Sequence, residues 1–266
     1  MLLKITVLVE NKLSRHAAPG VQPRAGLSLL LNDGESKILF DTGPDETFIN
    51  NARLMHASLS DLSAVVISHG HYDHCGGVNW LEKGTRIVCH PDMAQERYAC
   101  LDLPWHKVAL KRLSVPQRYS DFDVLPRREP WALSDAFLWS GEIPVSRPVA
   151  CGVTDTVSGS PDYVQDEGVL IWRSSQGLVI ITGCGHRGLD NIVRHCLQIT
   201  GESRVHAIIG GLHLRTASPQ KLMKTRKLLA ELQPDIVMGC HCTGEWGRFW
   251  LRDTHRLSCG DEVFIS

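Results

Sequence analysis

The stretch Ser68-His69-Gly70-His71-Tyr72-Asp73-His74-Cys75-Gly76-Gly77 places three imidazoles and a carboxylate within six residues. The four residues before it, 64–67, read Ala-Val-Val-Ile, a short β-branched run that is typical of a strand buried on both faces. The histidines are therefore expected at the carboxyl end of that strand. So many ligand side chains at one strand end predict a metal site.

The spacing within this stretch divides the side chains between two ions. Side chains two residues apart on an extended chain point the same way, so His69 and His71 can converge on one cation. Asp73 and His74 are adjacent and follow a turn, so they more naturally serve a second ion. Imidazole and carboxylate ligands suit zinc, iron or manganese. The expected cofactors are two divalent metal ions, with zinc favoured and iron or manganese as alternatives.

The overall composition is that of an ordinary globular protein. Of 266 residues, 43% are hydrophobic and 21% charged, and the formal net charge is −1, which favours a single α/β domain over residues 1–266. With no long run of like charges, nucleic acid is not an expected partner. The absence of a signal sequence or an apolar run of ~20 residues predicts no membrane association and a cytoplasmic location. The expected partner is a small-molecule substrate, and the oligomeric state is left open.

Apolar and alternating runs predict the regular elements on both sides of the histidine stretch. Strands are predicted over residues 4–9, 27–31, 37–40, 64–67, 86–90, 168–172, 177–181, 205–209 and 235–238, with two hairpins, 27–40 and 168–181. Helices are predicted over residues 48–56, 78–82, 189–199 and 219–232, the last with Leu222, Leu228, Leu229 and Leu232 on its buried side.

Further candidate ligands follow other predicted strands. Asp41 ends the first hairpin, either as a turn residue or as a carboxylate that orients a ligand histidine. Three later strands end in Cys184-Gly185-His186, Gly210-Gly211-Leu212-His213 and Cys240-His241-Cys242. A lone histidine after a strand is usually a hydrogen-bonding residue, but its repetition at corresponding strand ends favours one shared cluster. Nine cysteines, an odd number in a chain of this size, predict reduced thiols with one or two near metal.

Residues 91–166 show the weakest pattern of the chain. Prolines recur throughout this segment, and its aromatic residues include Tyr98, Trp105, Tyr119, Phe122, Trp131, Phe137 and Trp139. The segment is predicted to be an irregular, aromatic-rich insert near the active site that forms part of the pocket wall. The alternative is a surface excursion without a role in the site.

These residues together resemble the metallo-β-lactamase superfamily: a strand ending Asp41-Thr42-Gly43, the stretch 68–77, and ligands at later strand ends. The motifs around Cys184, His213 and His241, with Glu10-Asn11 after the first strand, are similar to the subgroup related to archaeal 7,8-dihydropterin-6-methyl-4-(β-D-ribofuranosyl)aminobenzene-5′-phosphate synthase. The resemblance covers nearly the whole chain. It implies a four-layer αββα sandwich with a dinuclear metal site at one end of the sheets.

The resemblance also implies a ligand set. His69 and His71 hold the first metal, with His186 in the remaining position, while Asp73 and His74 serve the second. His241 resembles the last histidine ligand of the superfamily. Cys184 occupies the place of the aspartate that bridges the metals in many superfamily members. It is either a thiolate ligand, which would favour zinc, or a bystander. For His213, contact with the substrate or transition state is favoured over ligation.

The expected activity is hydrolysis of an ester, phosphoester or related small molecule by a metal-activated hydroxide. Asp73 would orient or deprotonate the water, and His213 would donate a proton to the leaving or developing oxygen. One alternative is a pterin-condensing synthase, with Trp105 or Trp131 stacked on the pterin. A second is a metal or redox sensor without turnover, which the absence of a closed Cys/His set with C-x2-C spacing disfavours.

Overall fold

The computed structural model describes residues 2–102, 107–116, 118–251 and 255–266. Its strands are β1 Leu3–Val9, β2 Ser28–Asn32, β3 Lys37–Phe40, β4 Ala64–Val66, β5 Arg86–Cys89, β6 Tyr98–Asp102, β7 Lys107–Arg112, β8 Asp123–Pro126, β9 Trp131–Ala132, β10 Phe137–Trp139, β11 Gly152–Val153, β12 Pro161–Asp162, β13 Leu170–Ser174, β14 Gly177–Thr182, β15 Val205–Gly211, β16 Ile236–Cys240, β17 His255–Arg256 and β18 Glu262–Ile265. Its α-helices are α1 Thr47–Leu54, α2 Tyr72–Cys75, α3 Leu189–Thr200, α4 Pro219–Leu232 and α5 Gly244–Trp250, and its 3₁₀ helices are Gly76–Trp80, Pro91–Ala94, Tyr119–Asp121 and His241–Thr243.

Two mixed sheets of seven strands each form the body of the molecule. The first has the order β18-β1-β2-β3-β4-β5-β8 and the second the order β17-β16-β15-β14-β13-β10-β9. Both predicted hairpins are present, as the antiparallel pairs β2 with β3 and β13 with β14. Strand β4 pairs in parallel with β3 and β5 and is buried throughout, as its unalternating apolar run predicts.

Three apolar clusters define four layers. One cluster lies between the sheets and includes the fully buried indoles of Trp139 and Trp172. A second packs the outer face of the second sheet against α3 and α4, where Leu222 is fully buried and Leu228, Leu229 and Leu232 are partly buried. The third packs α1, through Phe48, onto the outer face of the first sheet. The αββα sandwich expected from the resemblance is therefore confirmed.

Local sequence signals set the ends of the two long helices. The Ser218 hydroxyl accepts a hydrogen bond from the Lys221 amide at 3.3 Å, and Pro219 occupies the first turn, so α4 begins as predicted. Helix α3 ends at Gly201, whose φ of 71° is the left-handed conformation that glycine adopts without a Cβ penalty. These two helices cover the second sheet and carry residues of the cavities described below.

Residues 91–166 are more regular than the sequence suggested, because seven strands lie within them. Strand β8 extends the first sheet, and β9 and β10 extend the second. The other four form a separate sheet in the order β12-β11-β6-β7. Strands of two to six residues do not produce a readable alternation, even where they pair locally, as β6 does with β7, β9 with β10 and β11 with β12. The prediction of an irregular insert was therefore wrong for much of this segment.

Candidate metal centre

The candidate ligands lie at one edge of the sandwich because the strands that carry them are parallel. In the first sheet β3 and β4 run in parallel, and in the second β14, β15 and β16 do. Their carboxyl ends lead into Asp41, His69, Cys184, His213 and His241, respectively. Three of these residues, Asp41, His213 and His241, adopt left-handed φ angles of 58°, 49° and 50°. Such strained conformations in non-glycine residues cluster at functional sites.

The side chains form five overlapping groups of three, in each of which the ligand atoms lie within 4.8 Å of one another, and two of these groups divide the 69–74 stretch between them. The first group is His69, His71 and His186, with His69 Nε2 3.0 Å from His71 Nδ1. The second group is Asp73, His74 and His241. In the second group the Nε2 atoms of His74 and His241 are 3.2 Å apart, and Asp73 Oδ2 is 3.4 Å from His241 Nε2. These two groups follow the predicted division of the 69–74 stretch, and a further group, His69, His74 and Cys184, joins them.

Asp41 accepts the hydrogen bonds that hold Ser68 and His74 in place. Its carboxylate is fully buried and accepts hydrogen bonds from the Ser68 amide at 2.7 Å and the Ser68 hydroxyl at 2.8 Å. It also accepts from His74 Nδ1 at 2.7 Å. The geometry matches the interpretation in which the Asp41 carboxylate orients a ligand histidine. The close packing here needs Gly183, because a Cβ at that position would lie 2.1 Å from Ser68 Oγ.

In His69, His74 and His241, hydrogen bonds on the side of the ring away from the cluster fix which nitrogen carries the proton. Because the Ser68 hydroxyl donates to Asp41, its oxygen accepts from His69 Nδ1 at 2.9 Å. His241 Nδ1 donates at 2.8 Å to Asn11 Oδ1, which also accepts from the Gly26 amide. With Nδ1 protonated in His69, His74 and His241, each ring presents Nε2 to the cluster.

The donor set fits divalent metal ions. Neutral rings in these tautomers would point lone pairs at one another across 3.2 Å in the second group, which is repulsive unless a cation lies between them. Two nitrogens bound at about 2.0–2.1 Å to one tetrahedral ion are ~3.3 Å apart, close to the separations found here. In each group, two imidazole nitrogens and a third donor converge. Such a convergence suits a metal ion better than a single shared proton.

The electrostatics of the cluster favour the ligand forms that metals require. Burial, followed by repulsion from neighbouring imidazoles, lowers the pKa of His69 and His186 well below the usual value. Burial opposes ionisation of Asp73, but His74 and His241 outweigh it and hold its pKa low. In His74, burial lowers the pKa, while Asp41 and Asp73 raise it to a greater extent. These carboxylates therefore favour a positive charge on the His74 ring, or next to it.

Cys184 and Cys242 follow strands β14 and β16 of the second sheet and lie close to the ligand histidines. Cys184 Sγ is 3.2 Å from His74 Nε2, and the two thiols form a ligand group with His241. Burial raises the pKa of Cys184, whereas hydrogen bonding from Cys184 and the charge of His241 outweigh burial and lower the pKa of Cys242. One thiolate shared by this pair would therefore reside mainly on Cys242. No disulfide bond joins any of the cysteines among the described residues.

A buried ionic network behind His71 was not predicted from the sequence. The Arg97 guanidinium is almost fully buried and pairs with Asp162 and Asp166, each at 2.8 Å. Asp166 Oδ2 accepts from the Gly70 amide at 2.7 Å, between the two histidines of the motif. Asp162 Oδ2 lies 3.9 Å from His71 Nε2. The network therefore fixes the backbone of the His69-Gly70-His71 loop and places a carboxylate behind the His71 ring.

His186 is held differently from the other histidines. Both of its ring nitrogens are buried without a hydrogen-bond partner among the described residues. Its loop is fixed through the backbone instead, because the buried Glu167 carboxylate accepts from the Arg187 amide at 2.7 Å. The ring packs edge-on against His213, with centroids 4.3 Å apart. An imidazole that faces His69 and His71 with both ring nitrogens unpartnered is suited to be a metal ligand.

His71, Asp73, Cys184, His186 and His241 line a cavity of about 570 Å³, whose wall also includes His213, Arg215, Lys221 and Cys151. Burial, followed by the Lys221 ammonium, lowers the pKa of His213 to about 4, so its imidazole is neutral near neutral pH. Residues 149–151 and Leu113 of the 91–166 segment form part of the wall, which places this segment beside the site. A cavity of this size accommodates a small molecule.

The aromatic residues of the 91–166 segment do not line this cavity where they are described. Trp139 is in the core between the sheets, and Trp131 is exposed with the Arg127 guanidinium 4.0 Å over its ring. Stacking of a pterin on Trp131 was therefore a wrong prediction. Trp105, the other candidate, lies outside the described residues.

The chain belongs to the metallo-beta-lactamase superfamily, because the model of that family matches residues 21–164, more than half of its length. It is 28% identical over 237 residues to 7,8-dihydropterin-6-methyl-4-(beta-D-ribofuranosyl)-aminobenzene-5′-phosphate synthase of Methanocaldococcus jannaschii, a match that covers 82% of this chain and 81% of the relative. An uncharacterised protein of the same organism is 27% identical, over 82% of this chain and 84% of the relative. The subgroup resemblance is thus confirmed.

The solved structure of a metal-dependent hydrolase of the beta-lactamase superfamily superimposes with a TM-score of 0.85 at 26% identity, covering 99% of both chains. The superfamily fold implies binding of divalent metal, in agreement with the two ligand groups. Among the described residues, no helix is both long and apolar enough to cross a bilayer.

Proposed function

We propose that this chain is a dinuclear metal-dependent hydrolase acting on an ester, phosphoester or related small molecule. The observation that carries the proposal is that two ligand groups, His69-His71-His186 and Asp73-His74-His241, each contribute two residues to the wall of one cavity: His71 and His186 from the first, and Asp73 and His241 from the second. Bound divalent ions would supply Lewis acidity and an activated water near neutral pH. The nitrogen-rich donor set, with thiols adjacent, favours zinc.

The residues that face the cavity supply the proton chemistry. Asp73 is ionised and lines the cavity, so its second carboxylate oxygen can accept a proton from water or orient it. His213 lines the same cavity as a neutral imidazole, so its N–H can donate to the oxygen on which negative charge develops. Cys184 is close to His74 Nε2 and would ligate zinc as a thiolate only if the ion displaced the thiol proton, which burial otherwise retains.

A chromogenic substrate panel tests the proposal directly. The full chain, loaded with zinc, iron or manganese, would be assayed against a p-nitrophenyl ester, a lactone and bis(p-nitrophenyl) phosphate. Metal-dependent hydrolysis of at least one of these, lost on chelation and restored by metal, is expected. Its absence with all three metals, in protein shown to hold two ions per chain, would contradict hydrolase activity.

The second candidate is a pterin-condensing synthase, and the 28% identity to the dihydropterin synthase favours it. In that reaction the metals would stabilise a departing pyrophosphate instead of activating water, and the relative's product, by its name, carries a phosphate. Calorimetric titration with a dihydropterin separates the candidates. Micromolar pterin binding without hydrolysis of the panel would place the synthase first, whereas hydrolysis without pterin binding supports the hydrolase.

The alternative, a metal or redox sensor without turnover, requires a metal site that a substrate cannot reach. The cavity opens onto both ligand groups and leaves room beside them, which is typical of catalytic rather than structural metal sites. Measured turnover would exclude a sensor without activity. Reversible oxidation of Cys184 and Cys242 with metal release, and no turnover, would support it.

A further inference from the structure

A second cavity, which we call the cationic cavity, lies beside the metal-ligand cavity. It has a volume of about 420 Å³ and shares Val149, His186, Ser218 and Lys221 with the first cavity. Its wall carries four cationic side chains and one carboxylate: Arg147, Arg187, Lys221, Lys224 and Asp190. The lining therefore has a formal charge of four minus one, or +3, while the chain as a whole is at −1.

Carboxylates of the protein neutralise only part of this positive charge. Lys224 pairs with Asp190 at 2.7 Å, and the buried Arg187 guanidinium interacts with the charges of Glu167, Glu142 and Asp166. Arg147 is exposed and Lys221 is half-buried. A half-buried cation such as Lys221 is costly without a counter-charge, so it points to an anion that comes from outside the chain.

Two of these cations are held in place by carbonyl groups. The buried Arg187 guanidinium donates to the carbonyls of Ile143 and Tyr163 at 2.9–3.1 Å, and Lys221 donates to the carbonyl of His213 at 3.1 Å. Carbonyl partners fix the position of a cation without cancelling its charge. Ser218 and Gln220 in the cavity wall also mark the beginning of the 14-residue helix α4, whose dipole adds positive potential there.

We propose that the cationic cavity binds the phosphate group of a phosphorylated small-molecule substrate. The reacting end of that substrate would lie in the metal-ligand cavity, with His186 and Lys221 at the junction. A phosphate monoester, with a charge near −2 at neutral pH, matches the surplus better than a single carboxylate does. Guanidinium and ammonium groups are its usual partners. This inference rests on the proposed function for the reacting end, but the phosphate contacts can be measured separately.

The experiment is calorimetric titration of the full-length, metal-loaded protein with ribose 5-phosphate and, separately, with ribose. The variants are Arg147→Gln, which lines only the cationic cavity, and Lys221→Met, which lines both cavities. The matched control is Lys227→Met, on the same helix but exposed and paired with Glu231. We expect ribose 5-phosphate to bind and ribose not to bind. Each cavity variant should weaken binding by about tenfold or more, whereas the control should equal the wild type.

Several outcomes would overturn the inference. Equal binding of ribose and ribose 5-phosphate would do so, and so would equal affinity of Arg147→Gln and Lys227→Met, which would mean that the phosphate sits on the metal ions alone. Hydrolysis of a neutral p-nitrophenyl ester by the same wild-type sample is the independent readout. Ester hydrolysis without selective phosphate binding rejects the cationic site and leaves the hydrolase proposal intact. Selective phosphate binding without ester hydrolysis supports the cationic site and rejects the hydrolase proposal.

Discussion

The two ligand groups differ in how their rings are held. In the second group, His74 and His241 each donate a short hydrogen bond from the nitrogen that faces away from the cluster, to Asp41 at 2.7 Å and Asn11 at 2.8 Å. In the first group only His69 has such a partner, the Ser68 hydroxyl. His71 has Asp162 3.9 Å away, and the His186 ring has no partner among the described residues.

This difference predicts two metal sites of unequal affinity at one edge of the fold. A ring fixed by a carboxylate or amide loses less freedom when it binds metal, and it is a more basic ligand. The second group also contains an ionised carboxylate, Asp73, whereas the first consists of imidazoles alone. We therefore expect the second group to bind its ion more tightly. Metal affinity of the first group should depend more on how the His69-Gly70-His71 loop is held.

The largest expected effect is that of His69→Ala, which removes a ligand of the first group. Loss of several kcal/mol of transition-state stabilisation corresponds to a fall in kcat of about 1000-fold or more. The fold should persist, because the sandwich core does not depend on the ion. Hydrolysis rate, metal content and circular dichroism would be measured, with the exposed His16→Ala as control. Full activity with two ions bound would show that the first group is not a metal site.

Asp73→Asn is the corresponding change in the second group. The amide keeps the shape of the side chain but removes the charge that attracts the cation. We expect the protein to retain close to one ion per chain, held by the first group, and to lose most of its activity. Mass-spectrometric metal analysis checks this, with the exposed Asp61→Asn as control. Two ions per chain in the variant would argue against separate sites.

Asp41→Asn tests the hydrogen bond that Asp41 accepts from His74 Nδ1. The variant keeps one acceptor oxygen but loses the charge that supports the hydrogen bond to Nδ1. Affinity for the second ion should fall about 10–100-fold, the usual cost of removing such a partner. Competitive titration with a chromogenic chelator measures it, and Asp61→Asn again serves as control. Unchanged affinity would mean that Asp41 only shapes the turn.

Asp162→Asn should have the smallest effect on metal binding, because its carboxylate is 3.9 Å from His71. We expect affinity for the first ion to fall less than tenfold, well short of the loss in Asp41→Asn. The free energy of unfolding should nevertheless fall by about 1–3 kcal/mol, because buried Arg97 loses a charged partner. Denaturant unfolding would be compared with Asp123→Asn, which breaks the exposed pair with Arg86. A larger metal effect than in Asp41→Asn would reverse the ranking of the two groups.

The sequence revealed the parts of the site that depend on local patterns. The 68–77 stretch shows its ligands directly, and parallel strands bring His186, His213 and His241 to the same edge, so their strand-end positions were informative. Asp41 remained ambiguous, since its partner Ser68 lies 27 residues away. Arg97, Asp162 and Asp166 had no signal at all, because their pairing depends on short strands of the 91–166 segment and on long-range packing.

The central claim is that two ions bind in two separate groups. Anomalous diffraction at the metal absorption edge from crystals of the metal-loaded protein tests it most directly. The account predicts two peaks about 3.5–4 Å apart, one among His69, His71 and His186 and the other among Asp73, His74 and His241. A single peak among Cys184, His241 and Cys242, with none at His71 or Asp73, would contradict it.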